Sequence, residues 1–362
     1  MTLFEGARLQ DYVIERRLGA GAFGAVWGAI DQRSGERVAI KALLRTTGGT
    51  AVDHMARFRR EAVNLRRVQS EYVARLIDFI VDETHGMLLI MEYIDGELLS
   101  DVLLETNLSL VEAIELGIHL ARGLTDMHAV GVIHRDIKPS NIMIRSLPNG
   151  MQRAVIFDLG LSRFNPTEPI EPDDNSSADV TATASRVAIG TPAYMAPEQI
   201  LDARRSTEAS DIYGTGVVLY LAVSGRHPFV GDERAIANQK LMSEALPVDI
   251  GRLDALGMGF TEVISRCIRR RPDERFPNGP ALLHALDELR TLALSQPQGS
   301  SISVAPEYYG SAMPPDMVPR LRQATIPDNY ETDRRTTRAY IVAVVAGSLA
   351  VLIVVLTYFL RA

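Results

Sequence analysis

From about residue 12 to residue 290 the hydrophobic pattern alternates between strand-like and helix-like stretches. Asp11–Leu18 (DYVIERRL) and Ala25–Ile30 (AVWGAI) read as β-strands flanking a glycine-rich turn. Glu36–Leu43 (ERVAIKAL) reads as a third strand, after the turn residues Arg33-Ser34-Gly35. Residues 55–69 switch to the helical period, with Phe58, Ala62, Leu65 and Val68 on one face. Ser109-Leu110-Val111-Glu112 is a capping box, which predicts a helix running to about Val130. Residues 208–223 are apolar almost all round, the pattern of a buried helix, and are too few to span a bilayer. The predicted class is α+β, with a small β-rich lobe followed by a larger helical one.

Two further zones follow. Residues 291–338 hold six prolines among scattered Ser, Thr and Gly and show little periodicity, which predicts a linker. Ala339–Leu360 contains 22 residues without a charge. As a helix it would extend ~33 Å, matching the ~30 Å hydrocarbon core of a bilayer. Tyr340 and Tyr358 stand near its two ends, where aromatic residues favour the interface. Residues 339–360 are therefore expected to form one transmembrane helix. Arg334, Arg335 and Arg338 precede it and Arg361 alone follows, a bias that places residues 12–290 in the cytoplasm, on the inner face of the cell membrane. With only Arg361 and Ala362 beyond it, no outer domain is expected.

Composition narrows the classes further. The net charge of −7 excludes a general nucleic-acid binder, so no nucleic-acid partner is expected. The single cysteine, Cys267, rules out an intrachain disulfide and reads as core filler. The N-terminal stretch lacks the apolar run of a secretory signal.

The chemistry sits in five strings. Gly19-Ala-Gly21-Ala-Phe-Gly24 is a G-x-G-x-x-G, but it continues into a strand rather than a helix. A hairpin lid over phosphates fits that context better than a dinucleotide fold, since missing side chains let backbone N–H groups approach phosphate oxygens. Val38-Ala39-Ile40-Lys41 places a lysine in a buried strand, where it needs anionic partners; Glu61 on the next helix and phosphate oxygens are the candidates. His134-Arg135-Asp136-Ile137-Lys138-Pro139-Ser140-Asn141 resembles the catalytic loop of protein kinases. Asp158-Leu159-Gly160 is similar to the kinase D-F-G, and Gly190–Glu198 (GTPAYMAPE) resembles the end of the kinase activation segment. With every motif in order, residues 12–290 resemble the Hanks-type Ser/Thr protein kinases, nearest to the bacterial membrane-anchored branch.

That resemblance implies the bilobal kinase fold, ATP with Mg²⁺ (Mn²⁺ able to substitute), and protein substrates bearing Ser or Thr. It implies that Asp136 accepts the proton of the substrate hydroxyl, that Lys138 neutralises the γ-phosphate, and that Asn141 and Asp158 hold the metal. Lys41, fixed by Glu61, would hold the α- and β-phosphates. Leu18, Gly19, Gly21, Gly24, Val26 and Ala39 would enclose the nucleotide, with backbone groups of Glu92 and Ile94 on the adenine edge after the gatekeeper Met91. Asp211 would hold the catalytic-loop backbone, and Arg275 would pair with Glu198. Leu159, in place of the usual Phe, leaves magnesium binding intact and puts the balance of loop positions in doubt.

Regulation is expected in the long segment between Asp158 and Glu198. Thr181 and Thr183 are the expected autophosphorylation sites, with Arg135 as receptor for one phosphate, and Thr191 is expected to touch Asp136 and Lys138. Confinement on membrane lipid would favour a homodimer that phosphorylates in trans. The rival classes are a pseudokinase scaffold, which normally lacks one of Lys41, Asp136 and Asp158, and a small-molecule kinase, which seldom carries the GTPAYMAPE segment.

Overall fold

The computed structural model describes residues 4–21, 24–43, 62–82, 85–158, 192–251 and 254–295. All fall in one compact unit, Met1–Ser301. The remaining unit, Ile302–Ala362, holds the expected transmembrane helix at 339–360 and most of the expected linker; both lie outside the described residues. Among the described residues, no helix is long and apolar enough to cross a membrane.

The first part of the unit is an antiparallel sheet of six strands: β1 Arg8–Leu9, β2 Tyr12–Gly21, β3 Gly24–Asp31, β4 Arg37–Leu43, β5 Leu76–Asp82 and β6 Gly86–Glu92, in the order β1-β2-β3-β4-β6-β5. The glycine string lies at the β2–β3 hairpin, with Gly21 opposite Gly24 and Gly19 opposite Val26. No helix begins there, so the dinucleotide-fold alternative is removed. Gly35 turns β3 into β4 with φ of 74°, a conformation glycine adopts without penalty. Tyr12, Ile14, Trp27, Ala29, Val38, Ile40, Leu88 and Ile90 form one apolar cluster on this sheet. The period of two then sends Ala39 and Lys41 to the opposite face, joined there by their cross-strand neighbours Val26, Leu89 and Met91.

The second part is helical. Three short strands, β7 Glu97–Leu98, β8 Ile142–Ser146 and β9 Gln152–Ile156, form a second sheet. The helices are α1 Leu99–Glu105, α2 Leu110–His128, α3 Pro197–Leu201, α4 Glu208–Ser224, α5 Glu233–Met242, α6 Ala255–Cys267 and α7 Gly279–Ser295. The capping box of α2 is formed as expected: Ser109 Oγ accepts from Glu112 N, and Glu112 Oε2 accepts from Ser109 N at 2.8 Å. Helix α4 is buried nearly all round, packed by α2, α6 and α7, and ends at the left-handed Gly225. Its glycines permit close approach: a Cβ on Gly216 would stand 2.5 Å from Cys267 Cβ, and one on Gly214 would stand 3.0 Å from Ile137 Cβ. Cys267 is fully buried in this core, as its composition-based reading anticipated. Of the helix expected over 55–69, residues 62–65 are helical, with Ala62 and Leu65 buried on the expected face; Val68 is buried beyond the helix end, and residues 55–61, with Phe58, lie outside the described residues.

A second boundary shifts. The linker expected from 291 begins after Ser295, because α7 carries on and packs Leu292 and Ala293 against the helical core.

Candidate active site

The loop between α2 and β8 carries His134, Arg135, Asp136, Lys138 and Asn141, and one buried carboxylate fixes its backbone. Asp211, in the first turn of α4, accepts from His134 N (2.9 Å) and Arg135 N (2.7 Å). His128 Nε2 lies 2.9 Å from the same carboxylate. The carboxylate is thus held by three hydrogen bonds, with both oxygens partnered, the condition for placing a polar group at 1% exposure. Arg135 adopts φ of 68°, uncommon for a bulky residue, and its backbone is held on both sides: Gln199 Nε2 donates to its carbonyl at 3.1 Å. His134 supports the next turn, with Asp136 N donating to its Nδ1 (3.2 Å) and its Nε2 3.1 Å from Phe157 O.

On this frame three of the expected chemical groups meet. Lys138 Nζ lies 2.8 Å from Asp136 Oδ2. Asn141 Nδ2 donates to Asp136 Oδ2 (3.0 Å) and to its carbonyl (2.9 Å). Phe157 N donates to Asn141 O at 3.0 Å, which sets the backbone just before Asp158 beside Asn141. Asp158 takes φ of 60°, a conformation that Asp tolerates better than most residues. Its Oδ1 pairs with Lys41 Nζ, which β4 delivers from the sheet, so the buried lysine has the anion it requires.

The donor set suits a hard divalent cation. Asn141 uses its Nδ2 on Asp136, which leaves the amide oxygen for a ligand, and Asp158 brings a carboxylate. Among the described residues no group of three or more His, Cys, Asp or Glu could hold a metal. One carboxylate, one amide oxygen and the oxygens of a phosphate chain are what Mg²⁺ accepts in place of an all-protein cage.

Around this centre, Val26 and Ala39 are half-buried on the sheet face that carries Lys41, while Leu18 is more exposed, against Gly28. Glu92 closes β6 and gives its N–H to Arg75 O at 2.9 Å, so only its carbonyl remains for an adenine edge. Ile94 is buried with Ala74 and Val155. On the far side, Glu198 in α3 accepts from Arg275 Nη1 and Nη2, both at 2.8 Å, and from Ser210 Oγ at 2.7 Å. Burial pushes the Glu198 carboxyl up, but the Arg275 and Ser210 bonds outweigh it and hold it below its usual range. Glu61, Leu159, Thr181, Thr183 and Thr191 lie outside the described residues.

Sequence reasoning gave no functional part to His128, Gln199 or Lys240. His128 reads as a helix-end residue and does close α2, yet its ring reaches Asp211. Lys240 and Gln199 both donate to backbone carbonyls distant along the chain, which no spacing in the sequence marks; Gln199 also accepts from the nearby Ala196 N and donates to Ser206 Oγ.

A β-sheet lobe that delivers a lysine to a carboxylate, above a helical lobe whose pinned loop carries Asp, Lys and Asn, defines a protein kinase. The protein kinase domain family matches residues 12–286, and the chain belongs to that family. Serine/threonine-protein kinase PkaA of Streptomyces coelicolor is 32% identical over 322 residues, 85% of this chain and 55% of the relative. Serine/threonine-protein kinase PknA of Mycobacterium tuberculosis is 32% identical over 287 residues, 77% of this chain and 61% of the relative. The chain thus spans little more than half the length of these relatives. The crystal structure of the Mycobacterium tuberculosis PknI kinase domain shares the fold, at 22% identity and a TM-score of 0.57, over 80% of this chain and 100% of that one. The chain carries a protein kinase domain similar to those of these bacterial serine/threonine-protein kinases, and the protein kinase family uses ATP, a divalent metal and protein substrates.

Proposed function

We propose that this chain transfers the γ-phosphate of Mg-ATP to Ser and Thr hydroxyls of proteins, from a membrane to which residues 339–360 anchor it. The observation that carries the catalytic reading is the convergence on Asp136 Oδ2 of Lys138 (2.8 Å) and Asn141 (3.0 Å), on a loop held by Asp211. Phosphoryl transfer requires positioning and charge neutralisation more than covalent chemistry, and each side chain here has such a part. Asp136 orients the substrate hydroxyl and takes its proton at a carboxylate oxygen. Lys138 stands beside it as the cation facing the transferred group. Lys41, released from Asp158 by competing phosphate oxygens, holds the α- and β-phosphates, with Glu61 orienting it. Asn141 and Asp158 hold the metal, which when bound neutralises charge on the phosphates; Mn²⁺ satisfies the same oxygen donors. Leu18, Val26 and Ala39 face the base, the glycines of the hairpin cover the phosphates, and the Glu92 carbonyl and Ile94 N–H meet the adenine edge. Asp211, Glu198 and Arg275 are supports.

Thr181 and Thr183 accept phosphate from a second copy of the chain, and Arg135 receives one phosphate, while Thr191 contacts Asp136 and Lys138. After incubation with Mg-ATP, phosphoamino-acid analysis is expected to yield phosphothreonine and phosphoserine, and mass spectrometry to place phosphate on Thr181 or Thr183. Phosphotyrosine as the main product would overturn the substrate class; unmodified threonines at both positions would remove the loop switch.

The anchor rests on the uncharged run Ala339–Leu360 and its flanking arginines, with the kinase domain, 12–290, on the cytoplasmic side of the inner membrane. The full chain is expected to stay in the membrane pellet through alkaline carbonate, and a chain truncated after Arg338 to be soluble and active. Release of the full chain by carbonate would refute the anchor.

A further inference from the structure

Beyond the groups that handle ATP, the helical lobe holds a buried lysine that the reaction does not use. Lys240, on α5, is 1% exposed, and its Nζ donates to Ala193 O at 2.6 Å and to Met195 O at 2.8 Å. Its partners are carbonyls rather than a carboxylate. The ammonium also lies 4.8 Å from the centroid of the Tyr213 ring and 5.9 Å from that of Phe229. Two carbonyl dipoles and two ring faces are what make a buried charge tolerable without a counter-ion.

The residues it holds are those of the GTPAYMAPE segment. Ala193, Tyr194 and Met195 have no strand or helix to satisfy their backbone, so the two inward carbonyls depend on this side chain. Tyr194 stands edge-on to His227, with ring centroids 5.1 Å apart. A cavity of about 10 Å³ is lined by Asp136, Ile137, Tyr194 and Met195, which puts the held segment directly beside the residue that meets the substrate hydroxyl. A shift of this segment would therefore move whatever protein chain docks on it relative to Asp136, and would leave Lys41 and Asp158 where they are.

We infer that Lys240 is a positioning residue for the protein substrate: its ammonium shapes the docking segment 193–195 and so sets the affinity for the peptide and not for ATP. The inference rests on the kinase reading and adds a determinant of substrate recognition to it. The surroundings make this hold sensitive to pH near neutrality. Burial, with the positive charge of Arg275 adding to it, pulls the Lys240 pKa down to about 7. The other charged and titratable groups packed here are Arg275, lying over Tyr213, its partner Glu198, the Tyr213 phenol, His227 and the Tyr194 phenol, which burial pushes up to about 12. Burial raises Tyr213 beyond the neutral range and, with Lys240, lowers His227. Lys240 is then the group of this set that changes charge between neutral and mildly alkaline pH. The neutral amine keeps two N–H donors but loses the charge that strengthens both bonds.

The test uses the full chain, ATP and myelin basic protein as a phosphate acceptor. Lys240→Met is expected to raise KM for the acceptor roughly tenfold with KM for ATP unchanged, the signature of a lost peptide-binding contribution. Lys240→Arg, which keeps charge and donors, is expected to recover part of the difference. A third measurement needs no variant: wild-type acceptor KM, followed from about pH 6 to about pH 8.5, should rise through about 7 while the ATP KM stays level. Equal acceptor KM in a folded Lys240→Met protein, or a parallel rise in the ATP KM, overturns the inference, as does a flat wild-type profile. Absence of any transfer by the wild type is a different failure: it removes the kinase reading and this inference with it.

Discussion

Asp136→Asn is expected to lower phosphoryl transfer by roughly two to four orders of magnitude, the range that a general base contributes. The substitution keeps the planar shape and volume of the side chain. The loop is held by Asp211 through His134 N and Arg135 N, and those bonds do not involve the Asp136 side chain. The main-chain bond from Asn141 Nδ2 to the carbonyl of residue 136 also survives. What disappears is a carboxylate that can take a proton, together with the anion that Lys138 faces. Folding and nucleotide binding should therefore stay near wild type while turnover collapses. Phosphate transfer with labelled ATP, alongside a melting curve and a nucleotide-binding titration, separates these quantities. Robust transfer by the well-folded variant would falsify the role given to Asp136.

Much of this fold was legible in the sequence, for reasons local to each element. The Ser109–Glu112 box closes on itself within one helical turn, so the start of α2 is written in four adjacent residues. Helix α4 has no polar face, and burial is its one stable outcome. The glycine string announced a hairpin because strand patterning continued through Ala25–Ile30. The site was legible in part: Asp136, Lys138 and Asn141 lie within one short loop, and family resemblance named Lys41, Asp158 and Asp211. What stayed hidden depends on contacts between distant segments. His128 ends its helix and by spacing is unremarked, yet its ring reaches a carboxylate 83 positions away. Arg135 gives no sign of its left-handed backbone, which exists because Asp211 and Gln199 grip both sides of it. Nothing in the sequence sets Lys240 apart, and only the fold brings the carbonyls of Ala193 and Met195 to it. The linker starts later than expected because Leu292 and Ala293, in a stretch of weak periodicity, still have core to bury against.

The largest effect on stability is expected at Arg275→Met. The guanidinium is fully buried and gives two bonds to Glu198, one to Ala209 O at 2.9 Å, one to Arg269 O at 2.7 Å and one to Arg270 O at 3.0 Å. Removing it leaves the largely buried Glu198 carboxylate with the Ser210 hydroxyl as its remaining side-chain partner and takes a donor from three carbonyls. Breaking a buried pair in this way costs about 3–5 kcal/mol, a large share of the stability of most domains. The pH dependence identifies the cause. In the wild type the folded pKa of Glu198 is held below its ordinary value of 4.5, so its contribution is present above that value and is lost as pH falls through the lower folded pKa. In the variant the carboxylate keeps its burial and loses its cation, so its folded pKa rises and protonation relieves the fold. The gap between wild type and variant should accordingly be widest near neutral pH and narrow as the solution is acidified towards pH 4.5. Urea unfolding of both proteins across that interval measures it directly. A gap below about 1 kcal/mol at neutral pH, comparable to an exposed ion pair, would show that the pair does not hold the end of the activation segment to the helical core. A large gap that stays constant with pH would assign the loss to the three carbonyls rather than to Glu198.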